Sequence, residues 1–211
     1  MMKGRKLLLI IILLSSLQVS SFAQIRARES LPRLRFGAEW GYTQCFFLLR
    51  DYNFVSDEGY RVYDRTHGFN WRANAQLIAK VGYPVTDRSL LTLCGGYMGV
   101  GTDNRLFPIA LRYTFFPHTY YEDGIFWFGQ GGAALHVHTT AGRTALLAAA
   151  GGGYRFRLSY DCNLDLLVSL KYLHDHPALP DPEWPGNVPE HNIRKNVAGY
   201  CALDFAVSIS F

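Results

Sequence analysis

The feature that most constrains this chain is a 15-residue segment, Phe69 to Tyr83, in which side-chain polarity alternates. Every odd position of the segment is apolar, and most even positions are polar, namely Asn70, Arg72, Asn74, Gln76 and Lys80. Because successive side chains of a β-strand point to opposite faces, this period of two predicts a strand with one apolar and one polar face. Strands of globular proteins average about 5–6 residues, whereas a tilted strand that crosses a bilayer needs about 9–11 residues plus extensions. The segment therefore predicts a membrane-spanning strand.

The last segment of the sequence repeats the pattern and finishes on an aromatic residue. Its apolar positions are Leu203, Phe205, Val207, Ile209 and Phe211. An exposed apolar edge strand invites aggregation. In a closed barrel this strand pairs with the first one and no edge remains, so we expect closure.

Eight alternating segments can be counted, which is an even number, as bacterial membrane barrels require. They span about 33–46, 69–83, 89–101, 106–116, 125–139, 144–158, 164–176 and 198–211. The connections after the second, fourth and sixth segments are short, whereas about 47–68 and 177–197 are expected to be long loops rich in aromatic, charged and proline residues. Short turns at one end and long loops at the other are typical of this class. The predicted fold is all-β, an eight-stranded antiparallel transmembrane up-and-down β-barrel.

The two faces of the predicted strands differ sharply in chemistry. One face is apolar, with aromatic residues gathered near the strand ends, as at the two lipid–water interfaces of membrane barrels. The opposite face is charged and is expected to line the lumen, with Arg35, Glu39, Arg72, Lys80, Arg112, Arg155, Arg157, Asp165, Lys171 and Asp204. The alternative is a soluble periplasmic or lipocalin-like barrel, since eight-stranded barrels of that kind also exist.

The expected strand number limits what the lumen can do. Eight strands leave an interior just wide enough for its own side chains, so we expect a plugged core in which opposite charges pair. The excess of positive over negative lumen residues is the only hint of the alternative, a narrow pore that prefers anions. Glycines crowd strands five and six at Gly129, Gly131, Gly132, Gly151, Gly152 and Gly153, where close backbone approach or curvature is the expected reason.

The start of the sequence predicts export. Lys3, Arg5 and Lys6 precede the apolar run Leu7 to Leu14, and Ser21-Phe22-Ala23 offers a cleavage site, which is the secretory pattern. The alternative is an uncleaved anchor, although the run is shorter than the roughly 20 residues of a spanning helix. The predicted organisation is a signal peptide at 1–23, a periplasmic segment at 24–32 and a barrel at 33–211. Removing the signal lowers the excess of Lys and Arg over Asp and Glu from four to one, and no nucleic-acid-binding signature is found.

Four cysteines remain after the predicted cleavage site: Cys45, Cys94, Cys162 and Cys201. Their spacing fits no zinc pattern. Cys45 and Cys201 could lie at similar heights on neighbouring first and last strands, but alternation places them on opposite faces. We therefore expect four free thiols that act as small apolar side chains.

Histidines near one rim are the only candidates for chemistry. His136, His138, His174 and His176 could ligate a transition metal with Asp175 or His191 nearby. Alternation weakens that site, because it places His136 and His138 in the lumen and His174 and His176 towards lipid. The expectation is that these residues tolerate a half-wet interface, with no cofactor. His138 with Thr139 or Thr140 loosely resembles the His-x-Ser element of outer-membrane lipid A deacylases, but Thr stands where Ser is needed and no acidic partner is evident.

The signal ending at Ala23-Gln24, the eight segments and the terminal Val207 to Phe211 together resemble a known family. They are similar to small outer-membrane β-barrels of the OmpA-transmembrane and OmpX type, and to the porin-family barrels of Bacteroidetes. The resemblance implies Sec export to the Gram-negative outer membrane, contact with lipopolysaccharide and extracellular long loops that could bind a ligand. It also implies insertion by the barrel-assembly machinery, which would read Phe205, Val207, Ile209 and Phe211. It implies no catalytic residue.

Overall fold

The computed structural model describes residues 34–101, 104–137, 143–179, 181 and 185–211. They form eight strands: β1 Arg35–Val55, β2 Arg61–Thr86, β3 Ser89–Val100, β4 Asn104–Phe115, β5 Gly124–His136, β6 Arg143–Arg157, β7 Asn163–His176 and β8 Ile193–Ser210. A 3-10 turn at Glu190–Asn192 precedes β8. The predicted signal peptide and the segment 24–32 lie outside the described residues. No helix in the described part of the chain is long and apolar enough to cross a membrane.

Every strand pairs antiparallel with the next, and β1 pairs with β8, so the sheet closes into a barrel. Two backbone hydrogen bonds between Phe36 and Phe211, of 3.1 and 2.8 Å, extend the closing seam. The predicted fold class, including closure by the last strand, is thereby confirmed.

The two ends of the barrel differ. One end, called the terminal end, holds the start of β1, the end of β8 and three short connections at 87–88, 116–123 and 158–162. The opposite end, called the loop end, holds the other connections, among them the turn 56–60 and the segment 177–192.

The prediction of a long loop at 47–68 was wrong. β1 continues to Val55 and β2 starts at Arg61, so only residues 56–60 form the turn. The predicted loop at 177–197 is also shorter, because β8 begins at Ile193. The alternation was hidden by a bulge at Phe46, where the register shifts between Cys45 and Phe47. The extra residue in β1 reverses whether odd-numbered or even-numbered side chains face inward. A single alternating pattern therefore cannot continue along β1 past the bulge.

The extended strands form a protruding sheet, defined here as residues 46–55, 61–73 and 193–197. β2 pairs with β3 only from Gln76 onward, and β7 pairs with β8 only as far as Ala198, whereas β1 stays paired on both sides. The inner face of this sheet carries a small core of its own. Phe54 packs there with Leu179 and Val188 of the segment 177–192. The described residues Leu179 and Val188 therefore pack over the protruding sheet.

The outward face of the barrel is an apolar belt. In the described strands, its positions between the two aromatic girdles carry no charged side chain. The girdle near the loop end includes Tyr42, Phe69, Trp71, Tyr97 and Tyr172, and the girdle at the terminal end includes Tyr83, Tyr113, Phe115, Trp127, Phe156 and Phe211, all of them exposed.

The height of the belt matches a bilayer. Along β8 it runs from Cys201 to Phe211, ten residues at about 3.3 Å each. At the usual tilt of about 40° this is roughly 25 Å, the apolar height of membrane barrels. A soluble barrel would put this surface inside and its charges outside, and the structure shows the opposite arrangement.

The cysteines lie as the alternation predicts, and the expected close backbone approach is found at Gly132 but not at Gly129. Cys45 is fully buried on the inner face, Cys201 is half-buried on the outer face, and none of the four thiols forms a disulfide. At Gly132 an added Cβ would lie 2.3 Å from the carbonyl oxygen of Ile109 on the neighbouring strand. This position therefore requires glycine for close backbone approach, whereas nothing lies within 4 Å of an added Cβ at Gly129.

Candidate functional site

The lumen is the enclosed part of the molecule in which charged groups meet. Its lining follows from the period of two, which turns every second side chain of each strand inward. The charged residues that it buries are Glu39, Lys80, Arg112, Arg155, Asp165, Lys171, Asp175 and Asp204. They form pairs or clusters at successive levels along the barrel axis.

The level nearest the terminal end is an ion pair enclosed by aromatic rings. Arg155 and Asp165 are direct partners across β6 and β7. Their two hydrogen bonds, Nε to Oδ1 at 2.7 Å and Nη2 to Oδ2 at 2.8 Å, make the pair bidentate. The Arg155 guanidinium also lies 4.5 Å from the ring centroid of Phe116 and donates to the carbonyl of Tyr120 at 3.2 Å. Such a cation is both charge-paired and stacked.

Phe116 and Tyr120 belong to the connection 116–123, which folds inward and closes the barrel floor. Their rings are 5.7 Å apart, and both are buried. Burial raises the pKa of the Tyr120 phenol, although the nearby cations Arg35 and Arg155 oppose the shift. Its hydroxyl has no hydrogen-bond partner among the described residues. The floor is thus held by packing rather than by that hydroxyl.

The middle of the lumen holds a cluster centred on Glu39. Arg112 approaches it with both terminal nitrogens, at 2.6 and 3.1 Å, and Lys80 lies 3.6 Å away. The remaining Nε of Arg112 donates to Gln130 at 2.9 Å. Lys80 also donates to the Ser208 hydroxyl. Because Glu39 alone faces two cations, the neutral oxygens of Gln130 and Ser208 accept the further hydrogen bonds of Arg112 and Lys80.

A second cluster at mid-height is built on Lys171. Its ammonium lies 2.5 Å from Asp204 Oδ2 and donates to Gln76 Oε1 at 2.9 Å. Gln76 in turn accepts from the Thr43 hydroxyl at 3.4 Å. The second carboxylate oxygen of Asp204 has no partner among the described residues. The cluster joins β7 to β8, β2 and β1 across the lumen.

The buried charges balance. Glu39, Asp165, Asp175 and Asp204 offset Lys80, Arg112, Arg155 and Lys171, four against four among the described residues. The cavities between them measure about 20 and 30 Å³, room for one or two waters each. Among the fully buried residues of the described lumen, the predicted positive excess is therefore absent, which weakens the hint of anion preference.

Two of the ten charged residues predicted for the lumen lie elsewhere. Arg157 is exposed at the terminal end and donates to the Tyr121 carbonyl. Arg72 is exposed at the base of the protruding sheet. Arg35 lines the cavity at the terminal end with Lys80 and Arg155, and its partly buried side chain meets Asp161 at 3.4 Å. At Arg72 and Arg157, inward parity therefore does not lead to burial.

The loop end of the lumen is mainly apolar and contains one acid–base pair. Nε2 of His136 lies 3.1 Å from Asp175 Oδ1, and both side chains are buried. Around this level Met98, Leu106 and Leu173 fill the interior. Asp175 is thus the carboxylate partner of His136, a role that spacing along the sequence could not show because the two lie on different strands.

The candidate metal-binding histidines do not converge. His136 points into the lumen, whereas His174 and His176 lie on the outward face with their rings 5.2 Å apart. His138, Thr139 and Thr140 lie outside the described residues. Within the described part of the chain, no three His, Cys, Asp or Glu side chains group as metal ligands would.

Phe205, Val207, Ile209 and Phe211 occupy outward positions of β8 and its end, along the seam with β1. Sequence reasoning missed two parts of the lumen, the aromatic floor and the neutral bridges Gln76, Gln130 and Ser208. The inward parity of the three bridges could have identified them. The floor lies in a connection where parity gives no signal.

Comparison with known proteins adds structural neighbours only. No protein-family model and no curated protein sequence matches the chain. The chain is similar to the crystal structure of Neisserial surface protein A, with a TM-score of 0.45 and 12% identity over 84% of this chain and 97% of that one. It is similar to the crystal structure of the outer membrane protein OprG from Pseudomonas aeruginosa, with a TM-score of 0.48 and 11% identity over 88% of this chain and 99% of that one. It is also similar to the solid-state NMR structure of outer membrane protein AlkL in DMPC lipid bilayers, with a TM-score of 0.44 and 12% identity over 90% of this chain and 96% of that one.

Proposed function

We propose that this chain is a non-enzymatic outer-membrane β-barrel of the Gram-negative envelope, acting structurally or by recognition through its loop end. The observation that carries the proposal is the filled, charge-balanced lumen. Arg155, Glu39 and Lys171 each anchor buried ion pairs across it, and the cavities left hold only a few waters. Ion pairs that fill the described part of the lumen in this way oppose the passage of ions.

The location follows from the surface. A closed barrel satisfies its backbone hydrogen bonds without water, and an apolar belt about 25 Å tall between aromatic girdles suits a lipid bilayer. Short turns face the periplasm in such barrels, so the terminal end would be periplasmic and the loop end extracellular. Sec export and insertion by the barrel-assembly machinery through Phe205, Val207, Ile209 and Phe211 complete the proposal.

The protruding sheet is the part best placed for recognition. Beyond the girdle residues Phe69 and Trp71, its outward face exposes Tyr63 strongly. From Arg61 to Ala73, β2 is paired with β1 alone, and an unpaired strand edge is a ready template for an extended segment of another chain. This surface replaces the flexible loop at 47–68 as the candidate contact region for an extracellular ligand.

Planar-bilayer recording tests the closed lumen. The purified barrel should insert, shown by a heat-dependent shift in gel mobility, and should give no steady conductance. Arg155→Ala with Phe116→Ala opens only the floor, and this variant should also stay closed because the Glu39 and Lys171 clusters still fill the lumen above it. A porin with more strands, recorded in the same bilayer, shows that the recording can detect a pore. Stable unitary steps from the unmodified chain would refute the plugged lumen and favour a pore.

One observation favours a second candidate, a lipid A-modifying enzyme at the extracellular rim. His136 with Asp175 is a base oriented by a carboxylate, which is the arrangement that activates a nucleophile. Mass spectrometry of lipid A from cells with and without the protein separates the two proposals. An altered acyl pattern that His136→Ala abolishes would replace the non-enzymatic function.

A further inference from the structure

The buried charges of the lumen balance as a whole but not at each level. In the terminal half, which runs from the floor to the Glu39 cluster, three buried cations face two buried carboxylates: Lys80, Arg112 and Arg155 against Glu39 and Asp165. Above it lies the neutral pair of Lys171 with Asp204. The compensating carboxylate, Asp175, lies at the loop end beside His136. The terminal half therefore carries one excess positive charge among the described residues.

This excess is centred on Lys80. Its ammonium has three N–H donors, and among the described residues it donates to Ser208. Glu39 Oε2 lies 3.6 Å from Lys80 Nζ, which is longer than a normal hydrogen bond. Both oxygens of Glu39 already accept from Arg112, at 2.6 and 3.1 Å. A buried ammonium that shares its only near carboxylate in this way would be stabilised by another anion.

A cavity of about 30 Å³ lies beside Lys80. Its lining includes Arg35, Arg155 and the floor residue Tyr120. A space of about 10–15 Å³ is enough for one water, so this cavity has room for one or two waters. A phosphate or carboxylate ligand, with several non-hydrogen atoms, does not fit, whereas a halide, a single atom slightly larger than a water molecule, does.

Tyr120 gives an independent indication of an anion. The residue is 2% exposed, and its hydroxyl, a hydrogen-bond donor, has no partner among the described residues. Two guanidinium carbons lie near its ring centroid, Arg155 at 5.0 Å and Arg35 at 5.7 Å. Arg155 is neutralised by a buried carboxylate, but Asp161, the partner of Arg35, is 62% exposed, where solvent screens its charge. An unused donor and incompletely neutralised cations thus meet at one cavity.

We propose that this cavity binds one halide ion, such as chloride, held by Lys80, Arg35 and the hydroxyl of Tyr120. The ion supplies the negative charge that the terminal half lacks. It is held rather than conducted, because the clusters of Glu39 and Lys171 fill the lumen above it. The inference goes beyond the proposed function, since it depends on the lumen and not on the membrane around the barrel.

The first test measures urea unfolding of the full chain in phosphatidylcholine vesicles at chloride concentrations from millimolar to molar. Gluconate, an organic anion too large for the cavity, replaces chloride so that ionic strength and charge screening stay constant. A ligand that binds only the folded state stabilises it by mass action. The folding equilibrium constant should therefore rise about tenfold for each tenfold rise in chloride above the dissociation constant.

Four variants identify the site of this effect. Tyr120→Phe keeps the ring but removes the donor, and it should raise the chloride concentration at which stabilisation begins by at least about tenfold. In gluconate alone this variant should be no less stable than wild type, because the hydroxyl then has no partner among the described residues. Lys80→Met should abolish the effect and Arg35→Gln should weaken it. Arg88→Gln, the same change in an exposed residue at the same end, should leave it intact.

The second test locates the ion. Crystals of the full chain grown in bromide and measured at the bromine absorption edge should show an anomalous peak in contact with Lys80 Nζ and Tyr120 Oη. The peak should be weaker in Tyr120→Phe crystals. If Lys80→Met does not fold, Tyr120→Phe and Arg35→Gln still decide both tests.

Three results overturn the proposal. They are a folding equilibrium that does not respond to chloride, an equal response in wild type and Tyr120→Phe, and bromide peaks confined to the protein surface. The first would show that water fills the cavity, the second that chloride acts elsewhere, and the third an adventitious ion only. Each of these results leaves the proposed membrane function standing, because conductance and insertion into vesicles test that function separately.

Discussion

The pair Arg155–Asp165 allows a quantitative test of how the lumen is held together. Replacing Asp165 with Asn removes one charge and nearly no volume, and it leaves a guanidinium that is 3% exposed without its anion. Breaking a buried pair from one side typically costs about 3–5 kcal/mol. Arg155→Met instead leaves the buried Asp165 carboxylate without its cation and should lower the free energy of unfolding by a similar amount.

The double variant, Arg155→Met with Asp165→Asn, should recover most of that loss. Replacing both charges by neutral groups of similar size is often neutral for the free energy of unfolding. Phe116 and Phe126, whose centroids lie 4.5 and 5.9 Å from the guanidinium carbon, would pack against the Met side chain. We expect the double variant within about 2 kcal/mol of wild type, hence a coupling energy of at least about 4 kcal/mol.

Urea unfolding of the barrel in phosphatidylcholine vesicles, followed by tryptophan fluorescence, measures these free energies. The matched control is Asp161→Asn, which breaks the pair with Arg35 at the same end of the barrel, where Asp161 is 62% exposed. An exposed pair of this kind should contribute less than about 1 kcal/mol. Additive single effects, with no recovery in the double variant, would refute the claim that the lumen is held by charge pairing.

Two further predictions concern the floor and the wall. Tyr120→Phe removes a buried hydroxyl without a hydrogen-bond partner among the described residues. The free energy of unfolding should therefore stay the same or rise by up to about 1 kcal/mol, whereas Tyr120→Ala should lower it by about 3–5 kcal/mol. Because burial raises the pKa of Tyr120, the phenol of the unfolded chain loses its proton at lower pH than that of the folded chain, and stability falls as pH rises above about 10. Tyr120→Phe should reduce that fall, and an unchanged pH profile would contradict this explanation. Gly132→Val should abolish folding into vesicles, since its Cβ would meet a backbone carbonyl at 2.3 Å, whereas Gly129→Ala, with open space at its Cβ, should fold normally by gel mobility.

The barrel could be predicted from the sequence because a bilayer imposes a strict rule on every strand that crosses it. Outward positions such as Leu77 and Leu170 must be apolar, and inward positions such as Lys80 and Lys171 are free to be charged. Alternation is therefore strongest within the belt. The same rule identified seven of the eight buried charged residues of the described lumen, all except Asp175.

Beyond the belt the rule no longer applies. Between Phe47 and Arg72 both faces of the sheet meet water or the segment 177–192, so backbone pairing continues without an alternating pattern. The bulge at Phe46 reverses the parity as well. Charge pairing was equally hidden, because Asp175 and His136 meet only through the closed topology. Contacts between non-adjacent strands need the register, which the sequence does not supply.

Three tryptophans give the belt a measurable depth. Trp40 lies opposite Val207 on β8, four residues from Phe211, which is about 10 Å above the terminal edge of a belt roughly 25 Å tall. Trp71 and Trp127 sit in the two girdles and are 76% and 59% exposed. Variants with a single tryptophan can be placed in vesicles whose lipids carry bromine at a shallow or a deep acyl position.

Deep bromine should quench Trp40 most strongly, and shallow bromine should quench Trp71 and Trp127 more than it quenches Trp40. Aqueous iodide serves as the control and should spare Trp40, because water does not reach the centre of the hydrocarbon layer. Quenching of Trp40 by iodide, with no dependence on bromine depth, would show that the belt faces water. That outcome would restore the soluble barrel, in which case half-exposed Trp40 and Leu77 would form an apolar patch that needs a protein partner.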